Sequence, residues 1–297
     1  MCEEATIHDD TLYDNRYVRD MSPNVAYPGP EGTHTSAAAA TLFPTDTLVP
    51  LAGFRAVADA VVSHDATFGV LPIESSLAGA VAETHDLLYE RALSIVGETI
   101  LPIRHCLAAS ADVPLDEIRT VRSHPTALDQ CRSLLARMPK ASVIASSTTA
   151  EAGRQAAEDG DPTVAVIVGD EAVELYGLTV LEHDVGDTLA FTRFVSIAPY
   201  TRVDRNLRDA RTAFTFATNH KPGALFTAIE PFARAGLDLV RLVSRPLPAT
   251  PWKYRFDAVV AGHPLEPAVQ VALRELDAVT RTLRVVGVYE GHAEEGA

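Results

Sequence analysis

The sequence predicts an α/β protein with two lobes of alternating strands and helices, followed by a smaller ferredoxin-like module. Two features carry this prediction. Strand-like and helix-like segments alternate in two successive runs between residues 24 and 200, which is typical of mostly parallel sheets covered by helices. After residue 211 the order becomes strand, helix, strand, strand, helix, strand, which is the order of a ferredoxin-like fold.

The first run begins with a strand over 25–27, a Gly/Pro turn over 28–33 and an alanine-rich helix over 35–42. A strand, a glycine turn and a helix in this order form the beginning of an α/β unit. The remaining elements predicted for this lobe are helices over 56–63 and 83–91 and strands over 68–73 and 94–98.

The second run follows a joint near residues 101–107. Thr148 and Glu151 have capping-box spacing, so we expect a helix to begin there and to end near Gly160. Val164–Val168 is continuously apolar, as expected of a strand that is buried on both faces. Two such runs indicate two lobes with a cleft between them. The other elements predicted here are strands over 118–121 and 142–145 and a helix over 127–136.

The polar segment 201–211 has an arginine at every third position, which fits either a basic helical face or a solvated linker. We favour the linker. Beyond it we predict strands over 212–218, 237–243, 254–261 and 283–288, and helices from Pro222 and over 264–276. The chain is therefore divided into a disordered leader (1–23), a two-lobed region (24–200), a linker (201–211) and a C-terminal module (212–290).

The chain has 297 residues and a formal net charge of −15. This charge argues against nucleic acid and anionic membranes as partners, because both attract basic surfaces. It still allows a small anionic substrate, which responds to the local potential. The three cysteines lack metal-ligand spacing, and no apolar run approaches the roughly 20 residues of a membrane span. We therefore expect a cytoplasmic protein without a metal site.

Three polar motifs follow predicted strands, at the edge where open α/β sheets bind ligands. The first, GPEGT, brings backbone N–H groups and the Thr33 hydroxyl to a helix start, which suits a carboxylate or a phosphate. The first two motifs also fit ordinary turns. The second motif contains Glu74, Ser75 and Ser76, and the third contains Ser123, with Gln130 farther along the next helix.

Taken in order, the segments GPEGT, PIESSLAGAV, SHPTALDQC, YGL, TRF, GALF and SRP resemble the prephenate dehydratase family. The resemblance spans roughly residues 25–289 and includes a C-terminal part that is similar to an ACT domain. It implies two lobes like those of a periplasmic binding protein, a cleft that binds prephenate, and neither a metal nor an organic cofactor. Members of this family expel CO2 and water from prephenate and release phenylpyruvate.

The resemblance also implies roles for individual residues. Thr192 corresponds to the hydroxyl that protonates or hydrogen-bonds the leaving group, and Arg193 would pair with a substrate carboxylate, for which its planar fork is suited. Ser123 and Gln130 complete the implied catalytic set. The implied substrate-binding positions are Thr33, His34, Glu74, Ser75 and Ser76.

Several positions depart from the family pattern. Ser75 replaces the Asn of the family's IENS segment, and Ala190 replaces an Asn two positions before TRF. Losing a hydrogen-bond donor to a leaving oxygen costs about 2.7–4 kcal/mol. We therefore favour a non-aromatising prephenate decarboxylase, which keeps the ring hydroxyl and gives dihydro-4-hydroxyphenylpyruvate for a specialised metabolite such as an antibiotic. The alternative is a divergent prephenate dehydratase for phenylalanine biosynthesis, which the retained Thr192 supports.

His34 stands where the family has Phe. It is either a new acid or a neutral filler of the Phe site, and we favour the filler. A second class of function also stays open, because two-lobed folds serve solute-binding proteins. A non-catalytic binder of an aromatic acid would keep its ligand without turnover.

The C-terminal module resembles a phenylalanine-sensing ACT domain with one difference. Val243 replaces the Glu of the family's ESRP segment, and Val cannot accept hydrogen bonds, so phenylalanine feedback is in doubt. Dimerisation without ligand control is the alternative. We expect a homodimer or a homotetramer. The implied ligand residues are Gly223, Ala224, Leu225, Ser244, Arg245 and Pro246.

Overall fold

The computed structural model describes residues 24–200, 204, 206–219, 221–248 and 250–292. The predicted leader 1–23 lies outside the described residues, as do residues 201–203 and 205 of the predicted linker. The polar stretch 201–211 does not continue to its predicted end as a linker, because a strand already begins at Ala210. The proposed division into domains stays a prediction.

The first lobe contains a sheet in the order β2-β1-β3-β11-β5. The first three strands are parallel, whereas β11, which comes late in the chain, pairs antiparallel with both β3 and β5. The short strand β4 extends β3 at its edge. The elements are β1 (Asn24–Pro28), α1 (His34–Leu42), β2 (Thr47–Leu51), α2 (Phe54–Val62), β3 (Phe68–Ser75), β4 (Gly79–Ala80), α3 (Ala82–Glu90), β5 (Ser94–Ile103) and β11 (Ala190–Ala198).

The second lobe contains a separate sheet in the order β10-β6-β9-β7-β8. Strand β9 lies in its centre, and all five of its residues are buried, as the apolar run predicts. The elements are β6 (Cys106–Ala109), β7 (Thr120–Ser123), α4 (Pro125–Gln130), α5 (Arg132–Ala136), β8 (Ser142–Ala145), α6 (Thr149–Asp159), β9 (Val164–Val168), α7 (Asp170–Tyr176) and β10 (Thr179–Glu182).

One helix prediction in this lobe is wrong. The segment 127–136 is not a single helix, because the chain leaves the helical conformation at Cys131, with φ −123° and ψ 35°. The carboxylate of Asp187 accepts hydrogen bonds from the backbone N–H groups of Arg132 (2.8 Å) and Ser133 (3.1 Å). A distant side chain therefore caps a new helix start, which local sequence patterns do not reveal.

The C-terminal module has the predicted βαββαβ order, with an antiparallel sheet in the order β13-β14-β12-β15. Its two helices cover one face of the sheet, where stacked aromatic rings of Phe214, Phe216 and Phe232 form the core. The elements are β12 (Ala210–Thr218), α8 (Ala224–Arg234), β13 (Leu239–Pro246), β14 (Tyr254–Ala261), α9 (Pro267–Val279) and β15 (Thr280–Glu290).

The module docks on the first lobe in two ways. Its free sheet face packs on helix α3, where Ala213, Val259 and Val286 share one apolar cluster with Leu87. Strand β15 also lies beside β5, so that the two sheets join into one. Gly287 makes this joint, and a Cβ at this position would lie 2.4 Å from a backbone oxygen of β5. Only glycine allows so close an approach.

Candidate active site

The candidate site lies where the two lobes face each other, at the ends of β1, β3, β7 and β9. Helix α7 of the second lobe contacts the loop that follows β1. The hydroxyl of Tyr176 donates to the carbonyl of Glu31 (3.2 Å), and Gly32 lies against Ala172 and Leu175. The turn before α1 is therefore held between the lobes, as a cleft site requires.

Thr33 caps helix α1. Its hydroxyl oxygen accepts from the backbone N–H of Ser36 (3.2 Å), and Gly29 and Gly32 have the positive φ angles of 94° and 82° that this turn needs. The first backbone N–H groups of a helix have no partner within it, and they carry the positive end of the helix dipole. The start of α1 therefore suits a carboxylate.

Two imidazoles face each other at the joint of the lobes. The ring centroids of His34 and His105 are 6.0 Å apart, and His105 Nε2 lies 2.9 Å from Gln130 Oε1. Burial, and then the charge of His105, lower the pKa of His34 to about 4, and burial also lowers the pKa of His105. Both rings are therefore neutral at physiological pH. The rings leave His34 Nε2 and His105 Nδ1 buried without a hydrogen-bond partner.

His105 was not among the sequence-predicted site residues. It lies within the predicted joint between the lobes, and a histidine directly before the apolar strand β6 is the available signal. Gly169 explains why His34 fits here, because a Cβ at that position would lie 2.7 Å from the His34 ring.

Thr192 and Ser75 are directly paired across β11 and β3, so their side chains project from the same face of the sheet. This is the face that helix α1 covers, since Leu101, paired with Thr192, packs in the same cluster as α1. Ala190 lies two residues before Thr192, on the same face, and is 3% exposed. The two positions that lack the family's Asn therefore flank Thr192, one along the strand and one across it.

Ser75 and Ser76 accept backbone hydrogen bonds in and beside the turn that follows β3. The Ser75 hydroxyl oxygen accepts from the N–H groups of Leu77 and Ala78, each at 3.3 Å. The Ser76 hydroxyl oxygen accepts from the N–H of Phe191 at 2.9 Å. Each hydroxyl keeps its own proton available for donation.

Arg193 and Glu74 lie away from Thr192. They pair with each other on the opposite face of the sheet from Thr192, because successive strand residues alternate. Arg193 Nη1 lies 2.7 Å from Glu98, and its Nε lies 3.4 Å from Glu74. The guanidinium is therefore engaged by two carboxylates beneath the site. Their expected roles as substrate contacts stay predictions, and in this structure both side chains lie on the opposite face from Thr192 and Ser75.

Ser123 and Gln130 also differ from expectation. The Ser123 side chain is fully buried, and its hydroxyl donates to the carbonyl of Ile167 at 2.6 Å. Direct substrate contact would require this bond to break. The Gln130 side chain contacts the His105 ring, and the expected substrate contacts of Ser123 and Gln130 stay predictions.

Comparison with known proteins decides the family. The family model for prephenate dehydratase matches residues 25–201. The chain belongs to the prephenate dehydratase family. The bifunctional chorismate mutase/prephenate dehydratase of Escherichia coli K12 is 34% identical over 280 residues, which cover 92% of this chain and 72% of that protein.

Two solved structures share the whole fold. A prephenate dehydratase from Arthrobacter aurescens in complex with L-Phe is 29% identical, with a TM-score of 0.81 and 92% of each chain covered. A protein described as GqqA, a novel type of quorum quenching acylase, is 30% identical, with a TM-score of 0.83, covering 91% of this chain and 98% of that one. One fold therefore carries more than one named activity.

In the C-terminal module, the predicted ligand residues lie at the start of α8 and at the end of β13. Gly223 has a positive φ of 79° and caps α8, whose first turn contains Ala224 and Leu225. Ser244, Arg245 and Pro246 end β13. Arg245 is already engaged, because its guanidinium makes two hydrogen bonds (2.6 and 3.1 Å) to the Asp86 carboxylate of α3.

Two further properties bear on the chemistry. Among the described residues, no group of three or more His, Cys, Asp or Glu side chains is arranged to hold a metal ion. Within the same part of the chain, no helix has the length and apolar character needed to cross a membrane. The expectation that the reaction needs no cofactor stays a prediction.

Proposed function

We propose that this protein is a lyase that removes the ring carboxylate of prephenate as CO2 and keeps the ring hydroxyl, giving dihydro-4-hydroxyphenylpyruvate. One observation carries the proposal. Ala190 and Ser75, the two positions that lack the amides typical of the family, flank Thr192 on one face of the sheet. The loss is therefore concentrated around the hydroxyl expected to assist the leaving group.

Decarboxylation breaks the bond between the ring and its carboxylate. The electron pair moves through the ring diene, and a proton is taken up at a ring carbon, so no water leaves. This half of the reaction needs a held and poorly solvated carboxylate more than it needs an acid. The start of α1 supports this, because its N–H groups hold an anion without offering a strong acid.

Expulsion of hydroxide has additional requirements. It needs a positioned acid or several donors on the departing oxygen. His34 and His105 are neutral, and Arg193 is engaged by carboxylates on the other face. Thr192 is left as a donor on this face, beside the smaller Ser75. At about 2.7–4 kcal/mol for each missing donor, dehydration is slowed at least a hundredfold.

Dehydration to phenylpyruvate is the second candidate function. The observation that favours it is the retained Thr192, together with relatives that are named as dehydratases. Retention of Thr192 also argues against a non-catalytic binder of an aromatic acid. The pathway, whether phenylalanine or a specialised metabolite, follows from which product is formed.

The test is an incubation of the purified protein with prephenate, followed by mass spectrometry and ultraviolet absorbance at early times. A product that has lost CO2 but kept its oxygen supports the decarboxylase. Phenylpyruvate as the enzymatic product refutes it and establishes the dehydratase. A protein that binds prephenate without any product is a binder.

A restored variant sharpens this test. The double substitution Ser75→Asn with Ala190→Asn returns both amides, and we expect it to shift the product ratio towards phenylpyruvate. Thr192→Ala is the matched control, because it removes a donor from the same face. An unchanged product ratio in the restored variant would refute the idea that the two missing amides determine which product forms.

We also propose that phenylalanine is an effector of this protein and that the protein assembles into a dimer or a tetramer. The relative with bound L-Phe and the matching residues of α8 support an effector site. Val243 and the engagement of Arg245 by Asp86 argue against it. A phenylalanine titration that shifts neither activity nor the Tm would refute control by phenylalanine. Light scattering of the purified protein measures the oligomeric state.

A further inference from the structure

A small cavity lies between the C-terminal module and the first lobe, away from the candidate active site. It has a volume of about 20 Å³, which is enough for one small ion or one or two water molecules. Helix α3 and strand β3 form one side, and the sheet of the module forms the other. The polar side chains that line it are His85, Thr215, Arg241, Asp257 and Arg284.

Most charges around this cavity are compensated by neighbours. His85 Nδ1 lies 3.0 Å from Asp257 Oδ2, and the buried Arg255 lies 3.3 Å from Asp257 and 3.1 Å from Asp86. Arg245 pairs with the same Asp86 at 2.6 Å. These pairs link the module to α3 and use up the acidic groups of the interface.

Arg284 forms no close ion pair among the described residues, and the Asp257 carboxylate acts on it only from a longer distance. One of its Nη atoms donates to the carbonyl of Leu88 at 3.0 Å, and its guanidinium lies 5.8 Å from the ring centroid of Tyr89. Its Nε is buried without a hydrogen-bond partner, and burial lowers its pKa. Burying a cation without a close carboxylate is costly.

Arg241 and His85 line the same space. Arg241 is 9% exposed, and its nearest acidic group, Glu74, lies 4.0 Å away and is shared with Arg193. His85 is 2% exposed, and its Nε2 is buried without a partner. Its Nδ1 is directed at the Asp257 carboxylate, so Nε2 is the ring atom that faces no protein partner. Two guanidinium groups therefore line the cavity, and the carboxylate it contains is already paired.

We propose that this cavity binds a single small inorganic anion, of the size of chloride, between Arg284 and Arg241 and beside His85. An anion accepts hydrogen bonds from both guanidinium groups and offsets their positive charge, whereas a water molecule satisfies hydrogen bonds but leaves the charge. The bound ion links β15 and β13 of the module to α3. The proposal is independent of which reaction the active site performs.

The first test locates the ion in the intact protein. Crystals grown with bromide in place of chloride should show an anomalous peak in this cavity, within hydrogen-bond distance of Arg284 Nε. In solution, sodium chloride added in place of sodium gluconate at constant ionic strength should raise the Tm by about 2 °C or more, and the rise should saturate with chloride concentration. Absence of the peak, or density that refines as water, overturns the proposal.

The second test assigns the effect to the cavity. Arg284→Gln should abolish the chloride-dependent rise in Tm, whereas Arg281→Gln, at an exposed position on the same strand, should keep it. A bromide peak without any chloride-dependent rise means an adventitious ion only and overturns the proposal. If Arg284→Gln does not fold, the bromide and chloride measurements on the unmodified protein still decide.

Discussion

The buried, neutral His34 predicts a specific pH dependence of stability. A histidine has a pKa of about 6.5 in an unfolded chain, and burial lowers the pKa of His34 to about 4 in the folded protein. As the pH falls below about 6.5, the unfolded chain takes up a proton that the folded protein does not bind. The stabilisation is therefore complete above this pH and is lost as the pH falls towards 4.

The size of this loss follows from the two pKa values. Between pH 7 and pH 5, His34 alone removes about 2 kcal/mol from the free energy of unfolding. His34→Phe places the family's usual residue in the same site and removes the titrating group. We expect the variant to match the unmodified protein near pH 7 and to be more stable by about this amount near pH 5.

Urea unfolding of both proteins at the two pH values measures the difference directly. His183→Gln is the control, because the His183 side chain is exposed. The control should lose stability in parallel with the unmodified protein. If His34→Phe also does so, the ring is not held neutral, and its assignment as a filler of the Phe site fails.

Three further outcomes are expected from urea unfolding. Gly287→Ala should lower the free energy of unfolding by about 1–3 kcal/mol, because the new Cβ would lie 2.4 Å from a backbone oxygen of β5. Gly186→Ala is the control and should have little effect, because its Cβ would have no neighbour closer than 3.7 Å. Equal effects would refute the close approach of β15 and β5. Arg255→Met should lower the free energy of unfolding by about 3–5 kcal/mol, because the Asp257 carboxylate then loses the guanidinium with which it pairs. A change below 1 kcal/mol would contradict this. Thr148→Ala should cost about 1 kcal/mol through the lost cap of α6, and no change would mean that the cap is dispensable.

The elements that the sequence predicted well are those whose signal is local. The apolar run Val164–Val168 and the cap at Thr148 needed only their own residues, and both appear as expected. The break at Cys131 was missed because the group that causes it, Asp187, is distant in sequence. The placement of β11 between β3 and β5 was equally hidden, since pairing partners far apart in the chain leave no periodic signal.

The candidate site divides in the same way. Thr192, Ser75 and Thr33 lie at strand or helix ends, where a sequence motif gives both the residue and its location. The ion-pair partner of Arg193 could not be derived from its motif, because Glu98 comes from a neighbouring strand. His105 was missed because its relation to His34 and Gln130 exists only when the two lobes meet.

The sequence by itself determined the fold class, the βαββαβ order of the C-terminal module and the family, because periodicity and ordered motifs are properties of neighbouring residues. Only the tertiary structure decided which face of the sheet each polar residue occupies. It placed Ser75 across from Thr192 and Ala190 beside Thr192 along the strand, with Arg193 on the opposite face of the sheet. It also placed Arg284 in the cavity between the C-terminal module and the first lobe, where the carboxylates are already paired. Pairing across strands and packing between modules set these relations, and both depend on contacts between residues far apart in the chain.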